Sequence, residues 1–380
     1  MSEGRSLFLS EGREETPPRL QPRRWAALMW PNVAIKGIDS GRILLLYEDS
    51  RAVTSLLGRR RERADSYSIA GEEELRLTTL FSAAAVMSVM ATSAFAVTIG
   101  FSQVGDEGDW RPAFSKDMQE EAKKEGIELK FADAQGKEEE QLKAVRAFIA
   151  QKVDAIIIAP VVVTGWDQVL REAKRANIPV FLADRDVDVT DKSLFVARIS
   201  ADFNLEGRLA GAWLAQASKG NCNIVEEQGT TGSAPAIERK KGFEAVIANF
   251  PNMKIVKTQS GDFTTDGGKK VMEAFIKSTD NLKGICASFA HNDNMQLGAI
   301  QAMKEAGLKP GKDVLMVSVD YVPAMKDELA NGEANASVEL RSAIGKYIYP
   351  VVLDYLKNKT ELPKWVVIPS DLHTAATAAY

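Results

Sequence analysis

Cysteine and histidine are scarce in these 380 residues: two cysteines, Cys222 and Cys286, and two histidines, His291 and His373. A tetrahedral zinc site built from them would need all four side chains to converge, and neither cysteine has a second ligand at short spacing. Positive charge is not in excess either. Lysine and arginine total 48 against 52 acidic residues, a net −4, whereas a nucleic-acid partner ordinarily demands a basic surface. Neither a GxSxG elbow nor a GxxxxGK[ST] loop occurs, which removes two common supports for hydrolase and nucleotide chemistry. Asp133, Gln135 and Lys137 have the alternation of a calcium loop, but the lysine breaks the pattern. No cofactor, no metal and no nucleic acid are expected.

Long apolar runs are also missing. The longest considered, residues 77–91 (LTTLFSAAAVMSVMA), is shorter than the roughly 20 residues that span a bilayer. Arg76 precedes it, and TSAFA follows, with small residues at Ala94 and Ala96. A basic flank, a short apolar core and small residues at the cleavage point describe a secretory signal peptide, expected here at residues 76–96. A buried core helix or a membrane anchor is the alternative. Residues 1–75 have a different character: through Ala96 there are twelve arginines and one lysine, beyond it nine arginines and twenty-six lysines. They read as a disordered extension, or as the product of a start site placed too far upstream. No cysteine follows the apolar run, so a periplasmic protein without a lipid anchor is expected. In that compartment Cys222 and Cys286 can be oxidised. A bond between them would close a loop of about 65 residues, worth about 4 kcal/mol on the chain-entropy account; two buried thiols are the alternative.

After Ala96 short apolar runs alternate with amphipathic stretches. VTIGFS, IELKFA, DAIIIAP, IPVFLAD and LFVARIS read as strands, with helices at Trp110–Glu125, Glu138–Gln151 and Trp166–Ala176 between them. The pattern then restarts. Helices at Leu205–Ala217, Ala236–Asn249, Gly268–Ser278 and Met295–Ala306 lead to CNIVEEQG, MKIVKTQ, GICASFA and DVLMVSVD. Strands that are apolar throughout suit parallel sheets covered on both faces. The expected fold is therefore α/β, with two doubly wound parallel-sheet lobes. On this alternation the strand ANASVEL and the helix Ala343–Leu356 return to the first lobe.

In such sheets ligands bind beyond the carboxyl ends of the strands. The residues there are Trp110 and Arg111 after VTIGFS, Asp184 and Arg185 after VFLA, and His291 and Asn292 after CASFA. Asp320 follows VLMVSV, and Glu339 follows ANASV. A sugar needs donors, acceptors and a ring against its C–H face. Trp110 offers the ring, Arg111 and Arg185 donate, Asp184, Asp320 and Glu339 accept, and Asn292 does both. Two positive charges against three negative fit a neutral polyol better than an anion. Each residue also has a plainer reading. Trp110 can be a helix-start staple, and Asp184–Arg185 a surface pair worth about 0–1 kcal/mol. Asn292 can be a helix cap, and His291 a cleft-wall residue rather than a base.

Several long strings carry a resemblance. GFSQVGDEGDWR, IIIAPVVVTGWDQVL, IPVFLADRDVDV, CNIVEEQGTTGSA, IERKKGF, QSGDFTTDGGKKVMEAFI, FAHNDNMQLGAIQAMKEAGLKPGKD and GEANASVEL are similar to the periplasmic sugar-binding proteins of the ribose- and galactose-binding type, nearest the galactofuranose branch, over about residues 97–380. The resemblance implies a hinged clamp of the type I periplasmic binding protein fold. The first lobe would comprise 97–200 plus about 340–365, the second 201–339 plus about 366–380, with crossings near Ser200, Tyr321 and Glu339. It implies a non-enzymatic monomer that captures a galactofuranose- or galactose-like monosaccharide and delivers it to the membrane subunits of an ABC importer. Delivery to a chemoreceptor is a second reading and a sugar-converting enzyme a third. A repressor effector domain would need an upstream helix-turn-helix, which the arginine-rich start does not show. Trp110, Arg111, Asp184, Arg185, Asn292, Asp320 and Glu339 match the family's sugar contacts, and Phe263 matches its second aromatic. Ile237 stands where ribose binders carry an arginine, which argues against ribose. Asp109 and Pro112 depart from the galactofuranose pattern.

Overall fold

The computed structural model describes residues 96–378, preceded only by a two-residue antiparallel ladder between Ile38–Asp39 and Arg42–Ile43. Apart from that ladder and Ala96, the expected extension and signal peptide lie outside the described residues.

The chain opens with β1 (Thr98–Gln103), α1 (Trp110–Lys124), β2 (Glu128–Asp133), α2 (Glu138–Gln151), β3 (Ala155–Ile158), α3 (Asp167–Arg175), β4 (Val180–Ala183) and β5 (Arg198–Ala201). A second series follows: α4 (Phe203–Ala217), β6 (Asn221–Gln228), α5 (Ala234–Ile247), β7 (Asn252–Ser260), α6 (Thr265–Ser278), β8 (Ala287–Ala290), α7 (Asp293–Glu305), β9 (Leu315–Asp320), α8 (Pro323–Asn331) and β10 (Ala336–Glu339). Helix α9 (Gly345–Asn358) and strands β11 (Trp365–Ile368) and β12 (Leu372–Thr374) complete it.

Two six-stranded sheets result, ordered β11-β5-β4-β3-β1-β2 and β12-β10-β9-β8-β6-β7. Every pairing is parallel except β10 with β12. The central β3 and β4, AIII and VFLA, are buried at every residue, because helices cover both faces of the sheet. Both sheets reverse strand order at one point, between β1 and β3 and between β6 and β8. Loops diverge there and leave a crevice at the strands' carboxyl ends.

Chain crossings differ from the expectation in two places. The chain leaves the first sheet after Ala201. It returns after Leu340 and leaves again after Ile368. Tyr321 is not a crossing: its N–H donates to Ser337 Oγ at 3.1 Å inside the second lobe, because β9 and β10 are neighbours in one sheet. ANASVEL thus supplies β10 to the second lobe and does not return to the first. Helix α9 does sit on the first lobe, where Gly345 N–H donates to Asp117 and the Tyr349 hydroxyl to the Met118 carbonyl. Strand β11 pairs with β5, so the first lobe runs to Ile368, past the expected boundary near 365. Helix α8, absent from the reading above, has Pro323 at its start and Gly332 in a left-handed cap at φ 73°, an ordinary start and stop pattern.

Helices α4 and α5 cross in backbone contact. A Cβ added at Gly207 would lie 2.0 Å from the Arg239 carbonyl oxygen, and one at Gly242 2.0 Å from that of Asn204. Only glycine permits that approach. Cys222 and Cys286 are joined by a disulfide, with Cα atoms 5.3 Å apart, between the starts of β6 and β8. Among the described residues no helix is long and apolar enough to cross a membrane.

Candidate ligand-binding cleft

The first lobe sends a loop after β1 to the crevice. Gly105 and Gly108, at φ 129° and 87°, let it turn back before α1. Of its acids, Asp106 and Asp109 are exposed while Glu107 is buried. The turn after β4 delivers Asp184 and Arg185, with Asp184 held at φ 64°. In the second lobe Phe263 at φ 62° and Asp320 at φ 124° occupy equivalent strand ends. Left-handed backbone at bulky residues stores strain of order 1–3 kcal/mol, and such strain concentrates at functional sites.

These ends converge on one cavity of about 280 Å³ of atom-free space, partly open to solvent. Glu107, Trp110, Arg111, Asp184 and Arg185 line it from the first lobe. Phe203, Pro235, Arg239, Phe263, Asn292 and Asp320 line it from the second, with Leu340 from the crossing. Seven of the eight expected ligand residues are thus together. Glu339 is not among them. It ends β10, where alternate side chains face opposite ways, and its carboxylate meets Arg341 at 3.4 Å and His373 at 3.5 Å. Leu340, one residue on, faces the cavity instead. Ile237 is 43% exposed and outside the lining, so the cleft's arginine on α5 is Arg239, two residues later. His291 is fully buried against Glu226, Nε2 to Oε1 3.2 Å, and does not line the cavity.

Sequence reasoning missed Glu107 and Arg239. Each sits in a run of like charges, and only burial distinguishes it. The helical period could have singled out Arg239, which shares an inward face with Pro235 and Gly242.

The first-lobe charges form a closed set. Glu107 Oε2 pairs with Arg185 and with Arg111 Nε at 3.3 Å, and Arg111 Nη2 pairs with Asp184 at 2.8 Å. Burial opposes ionisation of Glu107, yet Arg185 and Arg111 outweigh it and hold the carboxyl below its usual range. Burial, with Arg111 adding, draws Arg185 down to about 10, so it stays charged at neutral pH. In the second lobe burial pushes Asp320 well above the usual carboxylate range, with Asp293 and Glu206 adding and Arg239 opposing. Asn292 caps α7 by accepting from Met295 N–H at 3.0 Å, and its Nδ2 holds the Phe263 carbonyl at 3.0 Å. The capping role and the cleft role coexist. The Trp110 indole N–H donates to the Leu340 carbonyl at 2.7 Å.

Several buried atoms around the cavity have no hydrogen-bond partner within the protein: Arg111 Nη1, Asp184 Oδ1, Arg185 Nε and Arg239 Nη2. A buried polar atom left unmet costs about 1–3 kcal/mol, so four of them on residues that line one cavity describe a surface shaped for polar contents. The lobes also touch across the cleft. Thr230 donates to Glu107 at 2.9 Å, and Val163 N–H to the Gly232 carbonyl at 3.0 Å. Asp109 N–H donates to Asn294, whose amide donates back to the Asp109 carboxylate (3.1 and 3.2 Å). The clamp is closed.

Two sheets closing on a polar, ring-walled crevice define the class of the periplasmic binding proteins, and the chain belongs to that family: the periplasmic binding protein domain matches residues 99–360. It is similar to the galactofuranose-binding protein YtfQ of Escherichia coli K12, 53% identical across 80% of this chain and 95% of the relative. It is similar in structure to the binding component of the arabinose ABC transporter from Shewanella, bound to α- and β-L-arabinofuranose. That match has 55% identity and a TM-score of 0.73, covering 74% of this chain and 93% of the other. A protein of Mycobacterium smegmatis in complex with β-D-fucofuranose shares 46% identity at a TM-score of 0.72, covering 75% and 93%.

Proposed function

We propose that this chain is a non-enzymatic, periplasmic carrier that encloses a neutral monosaccharide in the furanose ring form and presents it to the membrane subunits of an ABC importer. The reading rests on one observation: Arg111, Asp184, Arg185 and Arg239, each with a buried polar atom that has no partner within the protein, line one cavity between two lobes. A furanose meets them with hydroxyls, while Trp110 and Phe263 take its C–H faces. The relatives named above carry galactofuranose, arabinofuranose and fucofuranose, and share the five-membered ring rather than one stereochemistry. Sugar touching both lobes favours the closed form, and that difference in affinity drives closure. The protein works free of a lipid anchor and as a monomer.

Calorimetry of the full chain with galactofuranose, L-arabinose, D-galactose and ribose tests this. Dissociation constants in the micromolar range or below, about −8 kcal/mol or more favourable, are expected for sugars that populate furanose forms. Recovering the sugar unchanged separates a carrier from an enzyme. Turnover, or binding of anionic sugars alone, would overturn the reading.

A further inference from the structure

Glu206 lies on the first turn of α4, just past the first crossing, fully buried and outside the cavity lining. Its carboxylate joins two distant places. One oxygen accepts from Arg239 Nε at 2.9 Å. The other accepts from the Ser370 hydroxyl at 3.0 Å, in the third crossing between β11 and β12. The backbone contact at Gly207 fixes α5 against this turn. Arg239 then donates Nη1 to the His291 carbonyl at 2.6 Å. Its Nη2 lies 3.5 Å from Asp320 Oδ1, and both residues line the cavity. One guanidinium is shared by two acids, one behind the cleft wall and one inside it.

We propose that Glu206 is a positioning residue for the sugar site: by its hydrogen bond to Arg239 Nε it sets how far that guanidinium leans towards Asp320, and so how much of each is left for hydroxyls. This rests on the sugar reading of the cleft. Burial raises the Glu206 carboxyl to about 7 against the pull of Arg239 and Ser370, and Asp184 across the cleft raises it further. Burial opposes the Arg239 charge, but Glu206 and Asp320 outweigh it and raise that group, so it is the carboxyls that titrate. Asp293 and Arg111 also act on Asp320. Above pH 7 ionised Glu206 makes a charge-assisted bond to Arg239. Below it the neutral acid holds more weakly, and Arg239 relaxes toward Asp320 and occupies the acceptor the sugar needs. Affinity is therefore full above pH 7 and falls as pH drops through 7.

The test is calorimetry of the full chain with L-arabinose and D-galactose at pH 8 and pH 6, where wild type should bind about fivefold more weakly at the lower pH. Glu206→Gln should bind at both pH values as wild type does at pH 6. Because that variant can fail to fold, Ser370→Ala is the second. Losing the hydroxyl donor should move the midpoint upward with the fold retained. A flat wild-type profile, a slope surviving in Glu206→Gln, or an unmoved midpoint in Ser370→Ala would overturn the proposal. If neither sugar binds wild type at pH 8, the sugar reading itself fails. NMR of the ligand-free chain then decides the Glu206–Arg239 link: slow exchange of the Arg239 Nε–H above pH 7 supports it, and fast exchange throughout overturns it.

Discussion

The two lobes bring similar side chains to the cleft but balance them differently. The first sets two arginines against two acids: Arg111 and Arg185 against Glu107 and Asp184. Each charge is answered within the lobe, with Glu107 held below its usual range and Arg185 charged at neutral pH. The second sets one arginine between two acids, Glu206 and Asp320, and burial raises both carboxyls. One wall of the cleft is a fixed template and the other an adjustable one. Only the adjustable lobe carries the disulfide, which ties its strands where its charges do not.

The largest way to break this contrast is Arg185→Ala. It removes one of the two guanidiniums that hold buried Glu107 and leaves Arg111 alone between Glu107 and Asp184, and losing one partner of a buried ionic group costs about 3–5 kcal/mol. Urea unfolding should show that loss and calorimetry the disappearance of sugar binding; a change under about 1 kcal/mol would mean that the four charges do not depend on one another. Next comes replacing Cys222 and Cys286 with serine, expected to cost roughly 2–4 kcal/mol. Hydrogen exchange should quicken in β6 and β8 while β1 to β5 keep their protection; uniform quickening would show that the lobes unfold as one. Trp110→Ala should weaken sugar binding by about 2 kcal/mol, roughly thirtyfold. Phe263→Ala makes the matching test of the other wall, and equal losses would mean the rings share the sugar evenly. The smallest effect belongs to Asp109→Ala, which removes one of the two bonds to Asn294 across the cleft. About 1 kcal/mol, near fivefold, should appear as faster sugar release; stopped-flow rates matching wild type would show that the pair does not restrain opening.

Much of this was legible in the sequence because it depends on local pattern. Apolar runs such as AIII and VFLA mark buried strands, and the strand-end rule then picks out Asp184, Arg185, Asn292 and Asp320 without any coordinates. The illegible part depends on which way a side chain turns. Nothing in Asp106-Glu107-Gly108-Asp109 says that Glu107 goes in while its neighbours stay out; the positive φ at Gly105 and Gly108 decides it. Glu339 looked like Asp320 by position, and the pleat turned it away. The lobe boundaries were harder still, because a strand's neighbour in the sheet is set by long-range pairing. The ladders of β10 with β9 and of β11 with β5 corrected them.

The indole N–H of Trp110 is bonded to the backbone of Leu340, in the strap by which the chain passes from one half of the clamp to the other. Any swing about that strap must carry the indole along or break a short bond. The ring that walls the cleft is thereby bolted to the strap that joins the two jaws.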